Sequence, residues 1–169
     1  LISRQRYWGA PIPMINCPKC GWSAVPEKDL PVLLPDITDY VPEGNGKGPL
    51  DKHAEFYKTT CPKCGGEAKR ETDVCDTFLD SSWYELRYPS VGINDQPFDK
   101  ELTKKWLPVD MYTGGPEHAV LHLMYFRFVP MVLHDLGFIT FSEPCKNFFA
   151  NGMLIKNGEK KSKSKGNVI

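Results

Sequence analysis

Residues 109–117 carry the stretch that decides the fold, Val109-Asp110-Met111-Tyr112-Thr113-Gly114-Gly115-Pro116-Glu117. Residues 109–112 have the composition of a buried strand, and the two glycines that follow predict a turn. Pro116 suits the first position of a helix. Glu117 suits its first turn, because a carboxylate interacts favourably with the positive end of the helix dipole. The stretch therefore predicts a strand that passes through a glycine turn into a helix.

Downstream, one long helix is predicted over 117–134. It is apolar on nearly every face and should be buried, and Pro130 should kink or split it. A second strand is predicted over 148–155, followed by a turn and a basic loop at 159–166. Strand, helix and strand in this order predict an α/β fold with a parallel sheet. Ligands of such sheets bind at the carboxyl ends of the strands, where we expect both the glycine turn and the basic loop.

Upstream, a dense apolar cluster begins after Asp76. Ser82 and Glu85 have the spacing of a capping box, which predicts a short helix that starts at 80–82 and ends before Pro89. A polar excursion with a short helix is expected over 90–106. Further upstream the composition changes, because residues 16–75 are rich in proline and glycine and are bracketed by cysteine pairs. We therefore predict three parts: 1–15, a 16–75 insertion, and 76–169.

The cysteines repeat a pentapeptide, since Cys17-Pro18-Lys19-Cys20-Gly21 recurs as Cys61-Pro62-Lys63-Cys64-Gly65. Each copy is typical of a zinc knuckle, a tight turn that directs two thiolates at one ion. Four thiolates make a closed structural zinc site with no open position for catalysis. The alternative is two incidental pairs of free thiols. His53 is a possible substitute ligand or a surface histidine, and Cys75 and Cys145 are expected to be idle thiols.

Composition limits the function classes. The 169 residues contain 21 Lys+Arg and 21 Asp+Glu, so the formal net charge is zero and a uniformly basic nucleic-acid-binding domain is excluded. No signal peptide or membrane span is evident, and C-x-x-C pairs suit a reducing compartment, so we expect a cytoplasmic protein without a membrane partner. The chain starts at Leu1 without methionine and ends on apolar Val168 and Ile169, which predicts an internal segment of a longer protein.

The loop that contains Lys160-Lys161-Ser162-Lys163-Ser164-Lys165-Gly166-Asn167 is a weak signal alone, because such runs are usually solvated. Its place after a strand and a glycine turn favours a mobile cationic loop that neutralises charge on a leaving pyrophosphate. The loop resembles the Lys-Met-Ser-Lys-Ser signature of class I aminoacyl-tRNA synthetases, with Lys161 where that family has Met.

Longer motifs resemble the leucyl branch of this family, the leucyl-tRNA synthetases. They are Ile2-Ser3-Arg4-Gln5-Arg6-Tyr7-Trp8-Gly9, the stretch from Glu71 to Tyr84, and Tyr112-Thr113-Gly114-Gly115-x-Glu117-His118-Ala119-Val120-Leu121-His122-Leu123. At position 85 this chain has Glu where the family usually has Phe. The resemblance covers essentially the whole chain. It implies the second half of a class I Rossmann-like nucleotide-binding domain, an internal fragment that resumes after the editing insertion and carries an inserted zinc-ribbon-like module.

The resemblance also implies site residues. Leucine would be bound by Phe78, Ser81, Tyr84, His118 and His122. ATP and the adenylate would be bound by Gly114, Gly115, Glu117, His118, Met153, Leu154, Lys160, Ser162, Lys163 and Ser164, with Lys160 and Lys163 catalytic. From pattern alone, Phe78, Ser81 and Tyr84 are better explained as core packing at helical spacing. The pattern of His118 and His122 favours core histidines over a metal pair, because no carboxylate or third histidine stands at the spacing of known zinc helices.

The implied parent enzyme activates leucine with ATP, with Mg expected, to leucyl-adenylate, and transfers the leucyl group to the tRNA for leucine. It is expected to be monomeric. The segment lacks the family's His-Ile-Gly-His signature, which supplies other phosphate contacts, so we predict that the fragment alone is inactive. Two alternatives stay open: a zinc-ribbon nucleic-acid-binding module without catalysis, and a fragment of an isoleucyl- or valyl-tRNA synthetase.

Overall fold

The computed structural model describes residues 1–168, so Ile169 lies outside the described residues. The chain forms two compact units, Leu1–Asp80 and the residues from Ser81 onward. None of the helices in residues 1–168 is long and apolar enough to cross a membrane.

The first unit is built around a four-stranded antiparallel sheet. Its elements in chain order are β1 (Ser3–Arg4), β2 (Met14–Cys17), β3 (Gly21–Ala24), α1 (Ala54–Tyr57), β4 (Lys58–Thr60), β5 (Glu67–Arg70), β6 (Val74–Cys75) and the start of α2 (Thr77–Ser81). The sheet order is β3-β2-β5-β4, while β1 pairs with β6. Side chains alternate along each strand, so Ile15, Cys17 and Ala68 are buried on one face of this sheet.

Both knuckles turn at their trailing glycine. Gly21 has φ of 69° and Gly65 has φ of 71°, in the left-handed region that L residues with side chains rarely adopt. The first turn joins β2 to β3, where Cys17 pairs with Gly21. In the second, the Gly65 amide donates to the Cys61 carbonyl at 2.9 Å. The repeated pentapeptide therefore produces a repeated turn.

Asp76 stabilises the C-terminal end of the first unit through two side-chain contacts. Its side chain is buried, forms an ion pair with Arg4 at 2.6 Å, and accepts a hydrogen bond from the Phe78 amide at 2.8 Å. The second contact caps the first turn of α2. One carboxylate therefore ties the β1 segment to the start of this helix.

The second unit contains the predicted parallel pair. Its elements are α3 (Tyr84–Arg87), α4 (Lys100–Trp106), β7 (Val109–Gly114), α5 (His122–Asp135), β8 (Cys145–Ala150), β9 (Ile155–Lys156) and β10 (Glu159–Lys160). Strands β7 and β8 are parallel, with Val109 opposite Cys145 and Gly114 opposite Ala150. The strand, crossover helix and parallel strand of the α/β prediction are confirmed.

The helix after the glycine turn differs from the prediction. Residues Pro116–Val120 form a 3₁₀ helix, and α5 begins only after Leu121, whose φ of −122° and ψ of −107° are not helical. The chain therefore breaks at Leu121 and continues as a helix through Pro130. The expected burial was also wrong, since Met124 and Phe128 are 60% and 48% exposed.

Two other local predictions were wrong. The second strand ends at Ala150 instead of 155, because its partner β7 ends at Gly114.

The capping box does not form. Trp83 precedes α3 with no side-chain cap, and Pro89 lies inside a 3₁₀ helix, Tyr88–Ser90. The cap fails because α3 begins at Tyr84, which puts Trp83 at the capping position and Ser82 one residue before it. The helix expected within 90–106 is confirmed as α4, capped by Asp99, which accepts from the Leu102 amide at 2.8 Å.

Candidate functional site

The cysteine cluster is brought together by the two knuckles. The Sγ atoms of Cys17, Cys20, Cys61 and Cys64 all lie within 4.8 Å of one another. Cys17 and Cys61 are buried in the core of the first unit, beside Ile15, and Cys64 is exposed. His53 lies elsewhere, with its two ring nitrogens 2.9 Å and 3.0 Å from Asp39 and Glu55. His53 therefore takes no part in the four-cysteine group.

Hydrogen bonds to sulfur shift the pKa values of two thiols in the cluster. The Cys64 backbone N–H, with that of Lys63, lowers the pKa of Cys61 to about 7. The pKa of Cys20 is raised to about 12, first by a hydrogen bond with the Cys64 thiol. Thiolates are the form that binds metals, and four sulfurs at this spacing suit a tetrahedral ion such as zinc. The cluster can hold one metal ion with no ligand position left for a substrate.

A histidine and aromatic cluster forms the centre of the second unit. His122 is 9% exposed, with Nδ1 3.2 Å from the Tyr112 hydroxyl and Nε2 3.3 Å from the Ser81 carbonyl oxygen. The ring centroids of Tyr84 and Phe126 lie 6.2 Å and 5.9 Å from that of His122. Both nitrogens of His122 are thus oriented by neighbours. An aromatic wall of this kind suits a branched apolar group.

The predicted leucine-binding residues divide between the two units. Ser81, Tyr84, His118 and His122 belong to the second unit, where the His118 and His122 rings meet edge to face with centroids 6.4 Å apart. These histidines lie on different elements, since the break at Leu121 separates them. Phe78 belongs to the first unit, on α2. Burial raises the pKa values of Tyr84 and Tyr112 above their usual range, so both phenols stay protonated near neutral pH.

The glycine turn and the basic loop are in contact. Lys160 Nζ lies 3.7 Å from Glu117 Oε1, and the Asn151 amide donates to the Gly114 carbonyl at 2.8 Å. A hydrogen bond from its own backbone N–H, with a smaller contribution from Lys160, holds the pKa of Glu117 below its usual range. The carboxylate is therefore ionised. It lies over Gly115, where an added Cβ would be only 2.7 Å from Glu117 Cδ.

The basic loop is closed by its own hydrogen bonds. Asn167 accepts from the Ser162 amide at 2.7 Å and donates to the Lys160 carbonyl at 3.1 Å. The Ser162 and Ser164 hydroxyls are 2.8 Å apart, and Lys163–Lys165 form one 3₁₀ turn that ends at Gly166 with φ of 62°. The loop is ordered internally, which sequence reasoning did not anticipate.

Met153 and Leu154, which are also predicted to bind ATP and the adenylate, are 53% and 75% exposed. The Leu154 carbonyl accepts from the Lys161 amide at 2.9 Å, which holds the chain on both sides of the β9–β10 hairpin. Sequence reasoning missed the structural parts of Tyr112, Phe126 and Asn167. The alternation along 109–114 puts Tyr112 on the same face as Asp110, so it did not mark Tyr112 as inward-facing, and no local signal identified the hydrogen bonds of Asn167.

Comparison with known proteins agrees with these motifs. The family model of class I tRNA synthetases (I, L, M and V) matches residues 1–169. The chain belongs to this family. Its fold is accordingly the class I tRNA synthetase fold of mixed α and β content, and the four-cysteine cluster is compatible with a zinc-ribbon-like module.

Relatives of this class I synthetase chain are leucine–tRNA ligases. Those of Petrotoga mobilis and Thermotoga maritima are 62% and 60% identical over all 169 residues. The crystal structure of the ternary complex of Agrobacterium radiobacter K84 agnB2 LeuRS with tRNA and LeuAMS matches 99% of this chain at 50% identity with a TM-score of 0.88. The chain spans about a fifth of these relatives, 20% of each ligase and 21% of the crystallised chain.

Proposed function

We propose that this chain is part of the catalytic domain of a leucine–tRNA ligase. The complete protein would activate leucine with ATP and Mg to leucyl-adenylate, and then transfer the leucyl group to the tRNA for leucine. It would act as a monomer in the cytoplasm. The observation that carries the proposal is the contact of Lys160 with Glu117 at 3.7 Å. This contact joins the glycine turn, which we propose binds the ribose of ATP, to the basic loop, which we propose binds its phosphates.

The roles follow from the chemistry of each group. The ionised Glu117 carboxylate can accept hydrogen bonds from ribose hydroxyls, and Gly115 leaves room for it because it has no side chain. Lys160 and Lys163 supply positive charge where pyrophosphate leaves, with Ser162 and Ser164 as hydroxyl donors, and Met153 and Leu154 near the adenine. Catalysis then consists of positioning and charge stabilisation, without a protein nucleophile.

The leucine pocket is proposed around His122. Tyr84 and Phe126 form an apolar wall, and Tyr112 and the Ser81 carbonyl fix the imidazole. Phe78 and His118 complete the predicted set of residues. A well-shaped apolar pocket separates substrates that differ by one methylene by only about 1–3 kcal/mol. Leucine specificity is therefore expected to be modest at this step.

The structural cofactor is proposed to be zinc on Cys17, Cys20, Cys61 and Cys64. An all-sulfur set with mutual distances within 4.8 Å suits zinc better than the oxygen-preferring cations Mg and Ca. Zinc would fix the fold of the first unit and take no part in the reaction.

The decisive experiment is leucine-dependent pyrophosphate exchange by the full-length protein. Lys163→Ala should lower the exchange rate by roughly 100- to 1000-fold, as expected for loss of one charge-stabilising contact in the transition state, with leucine affinity nearly unchanged. Lys165→Ala is the matched control, because Lys165 pairs with Glu159 at 3.1 Å and should have a much smaller effect. Normal exchange by the Lys163 variant would remove the loop from the mechanism.

The same assay separates the alternatives. An isoleucyl- or valyl-tRNA synthetase would exchange with its own amino acid in preference to leucine. A zinc-ribbon nucleic-acid-binding module without catalysis would show no exchange with any amino acid. The stretch around Tyr84, with the histidine and aromatic cluster, supports the leucyl enzyme over both.

A further inference from the structure

Glu85 carries an acidic side chain into an apolar interior. The residue is 5% exposed, and among the residues that the structure describes neither of its carboxylate oxygens has a hydrogen-bond partner. Ionising a carboxyl group in such a place is costly, because the charge loses its water and gains no donor in return. Phe, the usual residue at this position in the family, would carry no such cost. The acidic side chain therefore gives this chain a property that the usual residue would not.

Glu85 adjoins the aromatic wall proposed to bind leucine. It follows Tyr84 directly on α3, a single turn of four residues that has no side-chain cap at its start. The Tyr84 ring stacks on Phe126 with centroids 6.1 Å apart, and it lies 6.2 Å from the ring of His122. A helix this short is unstable by itself, so α3 keeps its place only through the packing of its side chains. A movement of Glu85 toward solvent would therefore displace Tyr84 as well.

The groups around Glu85 are uncharged or already paired. Three titratable groups are near enough for Glu85 to raise their pKa values: Tyr84 on α3, Tyr112 on β7 and Cys145 on β8. Burial raises the same pKa values, so all three groups carry no charge near neutral pH. From α5, the two nitrogens of His122 face a hydroxyl and a carbonyl oxygen, and Arg127 forms an ion pair with Glu143. Within residues 1–168, the pKa of Glu85 is governed by burial and not by a charged neighbour.

We propose that Glu85 is a positioning residue that makes leucine binding depend on pH. In its neutral form the carboxyl group stays inside and keeps Tyr84 at the pocket wall. In its ionised form the carboxylate draws α3 toward solvent, and the wall opens. Glu85 touches no substrate in this scheme and acts through Tyr84. The inference rests on the proposed function, because it takes Tyr84 as part of the leucine pocket.

Proton linkage gives the direction and the size of the effect. Burial raises the pKa of Glu85 from 4.5 to about 7, so the state that forms the pocket holds this proton more tightly than an open state with Glu85 in water. The open state therefore gains weight as the pH rises from 4.5 to about 7 and levels off above that. Between about pH 6 and pH 8, its weight relative to the pocket-forming state increases by about tenfold. Leucine binds the pocket-forming state, so its binding takes up protons and weakens as the pH rises.

The test measures the Kd of labelled leucine for the full-length protein by equilibrium dialysis over this pH range. The ratio of the parent Kd to the Glu85→Gln Kd should rise with pH, by up to about tenfold. His122 is present in both proteins, so any protonation of it cancels in the ratio. Glu85→Phe should follow the glutamine variant, whereas the matched control Glu101→Gln, which removes an exposed carboxylate from α4, should follow the parent. In a Tyr84→Ala background, Glu85→Gln should no longer change the pH dependence.

Proton uptake provides a measurement on the unsubstituted protein, which does not depend on how each variant folds. Calorimetry of leucine binding at about pH 6.5, in two buffers of different ionisation enthalpy, should show net proton uptake by the parent and less by Glu85→Gln. A Kd ratio that stays flat or falls with pH, or binding without proton uptake, would overturn the inference while leaving the proposed function in place. Absence of leucine binding at every pH, in the parent as in the variants, would overturn the proposed function and this inference with it.

Discussion

Glu85 gives the sharpest quantitative prediction. Its side chain on α3 is 5% exposed, and within residues 1–168 neither carboxylate oxygen has a hydrogen-bond partner. Burial raises its pKa from 4.5 to about 7. The groups whose pKa values Glu85 helps to raise, Tyr84, Tyr112 and Cys145, have pKa values above their usual ranges, so they do not titrate in the same window.

The sign follows from proton linkage. The folded state binds the Glu85 proton more tightly than the unfolded state, so stability is fully present below pH 4.5 and decreases as the pH rises toward about 7. At about 1.4 kcal/mol for each pH unit, the difference between the two pKa values corresponds to about 3 kcal/mol. Above the folded-state pKa, the penalty stays constant.

Glu85→Gln keeps the shape and removes the titration. The variant should match the parent in free energy of unfolding near pH 4.5 and exceed it by about 3 kcal/mol at pH 8. Urea unfolding at both pH values, followed by hydrogen exchange in peptides from 109–114, measures the second unit directly. Glu85→Phe, which restores the residue usual in the family, should also remove the pH dependence. Parallel stability profiles for parent and glutamine variant would refute the argument.

Three further predictions concern the cysteines, the glycine turn and the isolated chain. The protein should purify with about one zinc per chain. Cys61→Ser should lose that ion whereas Cys75→Ser keeps it, as metal analysis will show. Gly115→Ala should raise the KM for ATP in the full-length enzyme, because the new methyl group displaces the Glu117 carboxylate, whereas Gly114→Ala meets only an ordinary contact at 3.7 Å. The 169-residue chain alone should show no leucine-dependent pyrophosphate exchange, since it spans a fifth of its relatives and lacks the His-Ile-Gly-His signature.

The parts of the fold that the sequence could predict are those with a local cause. Gly21 and Gly65 must follow tight turns, and the repeated pentapeptide predicted the cysteine cluster with no knowledge of the sheet. The strand at 109–112 and its parallel partner followed from apolar composition and from order along the chain. In these places the residues near in sequence determine the conformation.

The failed predictions depended on contacts distant in sequence. The helix break at Leu121 gives His122 the position from which it meets Tyr112 and the Ser81 carbonyl, and no helical periodicity encodes that position. The cap expected from Ser82 does not form because α3 begins at Tyr84, with Trp83 at the capping position. The length of β8 is set by where β7 ends. For the candidate site, the residues are predicted through resemblance, whereas their mutual distances came only from the fold.

Asn167 gives the basic loop a mechanical property. The Asn167 side chain bonds both to the Ser162 amide and to the Lys160 carbonyl, so residues 160–167 form a closed ring and not a free chain. Fixing the backbone of a free residue costs roughly 1–2 kcal/mol. A ring that is already ordered can move as one rigid flap, so most of that entropic cost is met before any anion arrives. Its speed of closure would then depend on the hinge strands β9 and β10, and not on a search among loop conformations.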